Sequence, residues 1–426
     1  MQKKQYTIFE TFVGAGGSHL GFKNNNFRTV YVNDFDDSAL KTLVHNNPEL
    51  LKEKAFIDNR SIIDIDPKQL RNCLNVDVGE IDVFFGGIVC KGFSLAGERN
   101  PMDERNFFYH KQLELVEEFR PKISIIENVV GILNAKVYAV DKTDPLAVAI
   151  DELWSELNNY KGQKSALRKN NAITKEFELK GKDLNKQKKD LLKQIEDSKF
   201  YISVMDEIKA IYDKLGYKLH VATLNSAWYG AATKRERVIM VAIRNDIEDI
   251  FEYPKPIYMN KDIYKSFLPK ECLNLPKPKT VNSALSEINY TIDDPDNVPM
   301  NHQPKTIERF KYIPEGDNIA NHMDKVPKEL RISKFYSRGS TMRLDGNSPS
   351  PTLVPGHSNF PVHPKEHRSI TVREAATITG FPTDYKFFGS HTKRCEQVGN
   401  AVPPPLSFHI ARQCIKVLDN YYKNID

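Results

Sequence analysis

Cys90 lies in Gly86-Gly87-Ile88-Val89-Cys90-Lys91-Gly92-Phe93-Ser94, directly after the apolar run Ile81 to Phe85. The run predicts a buried parallel strand, and the glycine-flanked segment after it predicts a loop at its carboxyl end, where α/β proteins place their chemistry. A thiol bounded by glycines there is small and becomes nucleophilic on losing its proton. A free cysteine beside a core strand is more often a small buried hydrophobe, so Cys90 needs company to be read as catalytic.

The company is ordered along the chain. Phe9-Glu10-Thr11-Phe12-Val13-Gly14-Ala15-Gly16-Gly17 joins a predicted strand to a helix, and Ile123-Ser124-Ile125-Ile126-Glu127-Asn128-Val129 ends an apolar strand in a carboxylate. Arg235-Glu236-Arg237 precedes the strand Val238 to Ile243, and Gln397-Val398-Gly399-Asn400-Ala401-Val402-Pro403 comes near the end. Side chains at i and i+2 of a strand share a face, so Arg235 and Arg237 can bring two guanidinium groups into one pocket. Gly14, Gly16 and Gly17 give G-x-G-G, and Gly21 falls out of register for the G-x-G-x-x-G dinucleotide fingerprint, which excludes a nicotinamide dehydrogenase.

The elements that must position these groups alternate in the N-terminal third. Tyr6 to Phe12, Thr29 to Val32 and Val83 to Phe85 read as strands, and 111–119 as a helix ended by Pro121. That alternation predicts an α/β fold with a doubly wound, mostly parallel sheet. Between 138 and 209 glycine becomes scarce and basic residues outnumber acidic ones from Lys161 onward. With Leu179, Leu184, Leu191, Leu192 and Ile195 as a thin apolar stripe, the segment reads as an inserted helical hairpin or short coiled coil. A solvated structural insertion is the preferred reading, a basic arm touching DNA backbone the alternative. Residues 245–368 are proline-rich and aperiodic, a smaller irregular domain. It ends where Ser369 to Ala376 starts a helix with Thr371 as N-cap and Glu374 at the capping-box position.

The ordered set of blocks resembles the DNA (cytosine-5) methyltransferase family of bacterial restriction-modification type, over roughly residues 6–134, 215–244 and 369–420. The resemblance implies a Rossmann-like methyltransferase domain over 1–244, a target-recognition domain over 245–368, and a segment 369–426 returning to the catalytic domain. It implies methyl transfer from S-adenosyl-L-methionine to carbon 5 of a cytosine flipped out of duplex DNA, since a carbon inside the duplex cannot be reached. Cys90 would add to carbon 6, and Glu127, kept partly protonated by desolvation, would act on N3. Arg237 would bind the ring carbonyl O2, Arg235 would orient the surrounding carboxylates, and Asn128 would fix the loop. Phe12, Gly14, Gly16, Gly17, Asn33, Asp34, Phe35, Asp58, Phe108 and Asn400 would form the cofactor pocket. Within it Asp34 serves the ribose hydroxyls, Phe35 the adenine face, and Asp58 the adenine amino group. Lys91 and Ser94 would meet DNA, together with the cluster Lys334, Tyr336, Arg338 and Arg343, which suits phosphate or guanine contacts. Ser350-Pro351-Thr352-Leu353-Val354 resembles the Thr-Leu pair that recurs in such recognition regions.

Two places depart from the family. The usual Pro-Pro-Cys-Gln is Ile88-Val89-Cys90-Lys91, which removes two fixed φ angles before the nucleophile. Lys91 brings a cation beside the thiol and should favour the thiolate. The glutamine of the Q-x-R-x-R block is Thr233. An RNA cytosine-5 methyltransferase and an inactive DNA-binding relative remain as alternatives.

Composition is compatible with all of this. The 426 residues, 40% hydrophobic and 27% charged, suit a soluble protein of two domains or of one large domain with insertions, and the net charge of +5 permits nucleic-acid binding without demonstrating it. No apolar run is long enough for a membrane span and the polar N-terminus is not a signal peptide, so a bacterial cytoplasmic location is expected. The five cysteines are scattered without a C-x-x-C pair, which argues against a metal site. A separately encoded cognate restriction endonuclease is the expected partner besides duplex DNA.

Overall fold

The structure is a computed structural model that describes residues 4–88, 108–138, 143–169, 172–197, 201–259, 274–332, 339–356 and 359–424. The chain divides into two compact units, one of Met1–Gly87, Glu114–Glu127 and Tyr217–Asp426, the other of Ile88–Leu113 and Asn128–Gly216. This division differs from the boundaries expected at 244 and 368, because the stretch after Tyr217 groups with the N-terminal strands.

The strands are β1 (Thr7–Thr11), β2 (Arg28–Asn33), β3 (Phe56–Asp58), β4 (Val83–Gly87), β5 (Ile123–Asn128), β6 (Lys136–Tyr138), β7 (Tyr201–Ser203), β8 (Tyr217–Asn225) and β9 (Glu236–Arg244). Seven of them form one sheet in the order β3-β2-β1-β4-β5-β9-β8. The pairs β1–β2, β1–β4, β2–β3 and β4–β5 are parallel, and β8–β9 is antiparallel. The sheet is therefore mostly parallel and doubly wound, as the alternation of apolar runs predicts. Strand order reverses between β1 and β4, whose ends are aligned with Thr11 opposite Gly86. Open α/β sheets leave a crevice outside the carboxyl ends at such a reversal.

The central strands are continuous apolar runs because both of their faces are covered. On one face Phe9 stacks with Tyr31 and Phe84, at centroid distances of 4.3 and 4.7 Å. On the other, Ile8, Phe85 and Ile123 share a core with Phe22, Leu406, Ile410 and Val417. The long helix Pro404–Lys423 packs so closely on helix Gly17–Lys23 that a Cβ at Gly21 would stand 2.2 Å from Ser407 Oγ. Gly21 is a packing glycine. The return of the chain terminus to the first helix is what requires it.

The stretch from 274 to 368 holds short helices and turns around a small core of Phe310, Ile313, Ile319, Val326, Leu330 and Val362. Arg343 pins this core, and the expectation that it faces DNA is corrected. Its guanidinium is buried and donates to the carbonyl oxygens of Ile313, Phe310, His363 and Glu366 at 2.6–2.7 Å. A side chain so engaged cannot offer its charge to a phosphate. Helix Val372–Thr379 begins with the expected capping box, Thr371 Oγ1 accepting from Glu374 N and Glu374 accepting from Thr371 N.

In the second unit, β6 and β7 pair antiparallel on either side of two helices, Pro145–Lys169 and Lys175–Glu196. The helices pack through Ile150, Trp154, Leu157, Leu184 and Leu191, with Tyr160 stacked on Phe177 at 4.5 Å. Leu179, expected in the apolar stripe, is 62% exposed; Phe177 and Gly181 hold its place, since a Cβ at Gly181 would stand 2.1 Å from Tyr160 Oη. Ile195 lies outside the described side chains. Among the described residues no helix is long and apolar enough to cross a membrane.

Candidate active site

The loop after β1 turns sharply. Phe12 adopts a left-handed φ of 53° with its ring half-buried, and Gly14 has φ +55°. Two backbone donors fasten this loop to the end of β2: Val13 N to Asn33 O at 3.1 Å, and Gly14 N to Asp34 Oδ2 at 2.9 Å. A Cβ on Gly14 would meet nothing within 4 Å, so its main chain borders open space. Gly16 and Gly17 differ. A Cβ would lie 2.6 Å from Leu43 Cδ1 at Gly16 and 2.2 Å from Val402 O at Gly17. Protein packing therefore already accounts for both glycines, whereas Gly14 is the one that leaves room for a ligand.

At the end of β2, Asp34 accepts from Gly14 N and from Asp36 N. Burial pushes its carboxyl above the ordinary value, against the pull of those two donors. Phe35 follows with its ring 69% exposed, an aromatic face open to a planar partner. Asn33, expected in the pocket, uses its amide as a strut to the carbonyls of Asp58 and Arg60, at 3.0 and 2.8 Å. Asp58 is buried and accepts from Tyr31 Oη at 2.9 Å and from Arg60 Nε and Nη2. Desolvation raises its carboxyl, but the Arg60 and Tyr31 hydrogen bonds outweigh this and hold it below the ordinary value. In this arrangement Asp58 reaches a ligand only if Arg60 yields. Phe108 belongs to the other unit, half-buried at the start of helix Phe108–Phe119. The open glycine, the carboxyl and the exposed ring at adjoining strand ends fit an adenosine-bearing ligand.

Glu127 ends β5 opposite Gly87 of β4, and a Cβ on Gly87 would lie 3.5 Å from Glu127 Oε2. The carboxylate is buried with Arg237, whose Nε stands 2.7 Å from Glu127 Oε1. That is an ion-pair distance, but the N–H is not aligned with it, and Oε1 receives no hydrogen bond among the described residues. A buried guanidinium thus faces this carboxylate, a partner that the sequence reading did not pair with it. Arg237 Nη1 donates to Glu236 O at 2.7 Å.

Arg235 is buried as well and hydrogen-bonds to main chain. It donates to Leu353 O at 3.3 Å and to Asn400 O at 3.1 Å. It thus ties β9 to Leu353 and to the Gln397–Pro403 block. Asn400 takes part through its carbonyl, with its side chain exposed. A short parallel bridge runs beside it: Thr233 pairs with Ser350, Lys234 N donates to Ser350 O at 2.7 Å, and Thr233 Oγ1 donates to Pro351 O at 3.1 Å. Sequence reasoning missed Ser350 and Leu353 as supports of the arginine block. The Thr352-Leu353 pair was the available signal. In the other unit Asn128 Nδ2 donates to Ile88 O at 3.3 Å, a tie consistent with fixing the loop start. Cys90, Lys91, Ser94, Lys334, Tyr336 and Arg338 lie outside the described residues. No group of three metal-ligating side chains occurs among the described residues.

A mostly parallel sheet whose first loop opens on free space, beside a buried carboxylate–guanidinium pair, defines an α/β enzyme with its chemistry at the strand carboxyl ends. The profile of the C-5 cytosine-specific DNA methylase family matches residues 6–153 and 189–416, and the chain belongs to that family. It is 27% identical to the type II methyltransferase M.Eco47II of Escherichia coli over 98% of this chain and 81% of that protein. It is 25% identical to M.Sau96I of Staphylococcus aureus over 99% and 78%. Among solved structures, an E. coli prophage protein described as a DNA modification methyltransferase shares the fold. The TM-score is 0.57 at 20% identity, covering 97% of this chain and all of that one. The protein is accordingly a DNA cytosine-5 methyltransferase.

Proposed function

We propose that the protein methylates carbon 5 of one cytosine within a specific duplex sequence, taking the methyl group from S-adenosyl-L-methionine and using Cys90 as nucleophile. The observation that carries the reading is the buried Glu127–Arg237 pair at the end of the strand adjoining the one that leads to Cys90.

Phe12, the Gly14 main chain, Asp34 and Phe35 would hold the cofactor, which supplies an electrophilic methyl when bound. The Cys90 thiolate adds to carbon 6, forming an S–C bond and driving the ring π electrons toward carbon 5 and N3; once carbon 5 carries the methyl group, loss of its proton to solvent re-forms the C5–C6 double bond and expels the thiolate. Glu127 offers its carboxyl to N3 and the exocyclic amine, so the charge that develops on the ring is matched by a hydrogen bond. Arg237 keeps that carboxyl in place from the protein side and can turn its remaining N–H groups to O2. Arg235 holds the walls of the site together. The base must leave the helix to reach these groups, and the stretch from 274 to 368 would grip the duplex meanwhile. Modification of host DNA against a cognate endonuclease is the corresponding role.

Incubation with labelled cofactor and random-sequence duplex, followed by bisulfite sequencing, should reveal one methylated cytosine in a fixed context. A duplex bearing 5-fluorocytosine in that context should trap a covalent complex that Cys90→Ser does not form. Transfer to tRNA with none to duplex DNA would reject this reading for the RNA alternative.

A further inference from the structure

We infer that the outer face of helix Lys175–Glu196 binds the DNA phosphate backbone, independently of sequence. The inference rests on duplex DNA being the substrate, as the proposed function requires. The helix carries lysines at 175, 180, 182, 186, 188, 189 and 193 against acids at 176, 178, 183, 190 and 196, so its sum is modest and only placement can matter. At about 100° per residue, Lys175, Lys182, Lys186, Lys189 and Lys193 fall within about 60° of one another, in a line about 27 Å long. That line lies opposite the side packed through Gly181, Leu184 and Leu191. All five are exposed.

Two of the acids beside the line are directed elsewhere, and Asp190, at i+4 from Lys186 and i−3 from Lys193, makes no ion pair with either among the described residues. Glu178 is directed to Lys164 of the companion helix at 3.7 Å, and Asp183 accepts from Gln187 at 2.8 Å. Among the described residues, none of the five lysines is ion-paired, whereas a helix face built only for solvation commonly carries i,i+4 pairs of opposite sign. Lys188 turns inward instead, its ammonium 4.9 Å from the Trp154 ring centroid. The helix is anchored by the Tyr160–Phe177 stack and the close approach at Gly181, so the backbone positions that carry these lysines are set in a row before any partner arrives. Residues 154–188 lie outside the stretches matched by the family profile, so most of this hairpin is an addition to the shared catalytic body. A row of unpaired cations complements a polyanion, and phosphate contacts of this kind add affinity and position without reading bases.

The test compares the full-length protein with Lys182→Gln/Lys186→Gln/Lys189→Gln/Lys193→Gln, with the same four positions changed to arginine, and with a control that removes four exposed lysines elsewhere, Lys52, Lys54, Lys68 and Lys416. Duplex binding is titrated across a salt series. The glutamine variant should lose about two to four units of the slope of log affinity against log salt, and bind about tenfold or more weakly near about 0.1 M salt. Its kcat at saturating DNA and its methylated sequence should be those of the parent. The arginine variant should keep the parental slope and the control should lose less. A glutamine variant whose slope equals that of the parent or the control overturns the inference. A parent that methylates no duplex DNA overturns the reading beneath it, a result visible before any variant is made.

Discussion

Arg235 Nη2 donates to Asn400 O across 165 residues of chain, and Nη1 of the same side chain reaches Leu353 O. One buried guanidinium thus joins the start of β9, the exit of the recognition stretch and the end of helix His391–Asn400. Arg235→Lys keeps the charge but cannot span both carbonyls, because a single ammonium lacks the fork. It should lower stability by about 1–3 kcal/mol, and Arg235→Ala by more. Thermal unfolding of the purified variants checks this.

Glu127 and Arg237 should be strongly coupled. Removing either alone leaves a buried charge without its partner, at a cost of about 3–5 kcal/mol in stability. The double variant Glu127→Gln/Arg237→Gln should unfold less readily than the sum of the single changes implies, a difference read from a double-mutant cycle. Methyl transfer behaves otherwise. Glu127→Gln should cut turnover by about 10²–10⁴-fold, and the second change should not restore it.

Arg343→Met should separate structure from DNA contact. Four backbone carbonyls lose their donor, so chemical denaturation should show a loss of about 3 kcal/mol or more. The folded fraction should retain the parental salt dependence of DNA binding. A flattened dependence would return Arg343 to the phosphate-binding surface.

Asp34→Ala should weaken cofactor binding by about tenfold or more, because Gly14 N loses its acceptor and the loop its tie to β2. Asp34→Asn, which keeps an acceptor oxygen, should lose less. Isothermal titration with the cofactor and its demethylated product would distinguish the two variants.

Acid should expose the Asp58–Arg60 pair. The carboxyl of Asp58 is held below its ordinary value in the folded protein, so it binds protons less readily there than in the unfolded chain. Its contribution is therefore complete above the unfolded carboxylate range near about pH 4 and disappears as pH falls through the lower folded value. Arg60→Gln removes the main opposing partner of desolvation, and acid unfolding followed by circular dichroism should begin at a higher pH than in the parent.

Sequence alone determined the sheet and the order of the chemistry-bearing blocks. Apolar runs buried on both faces announce parallel strands, and a carboxylate or glycine loop directly after such a run must sit at its carboxyl end. Glu127 and Gly14 were legible for that reason, the two arginines because side chains at i and i+2 of a strand share a face, and the Thr371–Glu374 cap because capping is local. Tertiary structure decided which partner each group found. Gly16 and Gly17 were indistinguishable from Gly14 until Leu43 and Val402 arrived from elsewhere in the chain. Arg343 resembled a surface cation until carbonyls from Phe310 to Glu366 closed around it, and the main-chain ties of Arg235 were invisible until Leu353 and Asn400 came into reach. The physical reason is common to all three. Periodicity and spacing report the direction in which a residue points, whereas hydrogen-bond partners and close packing depend on segments tens to hundreds of residues away that only the folded chain brings together.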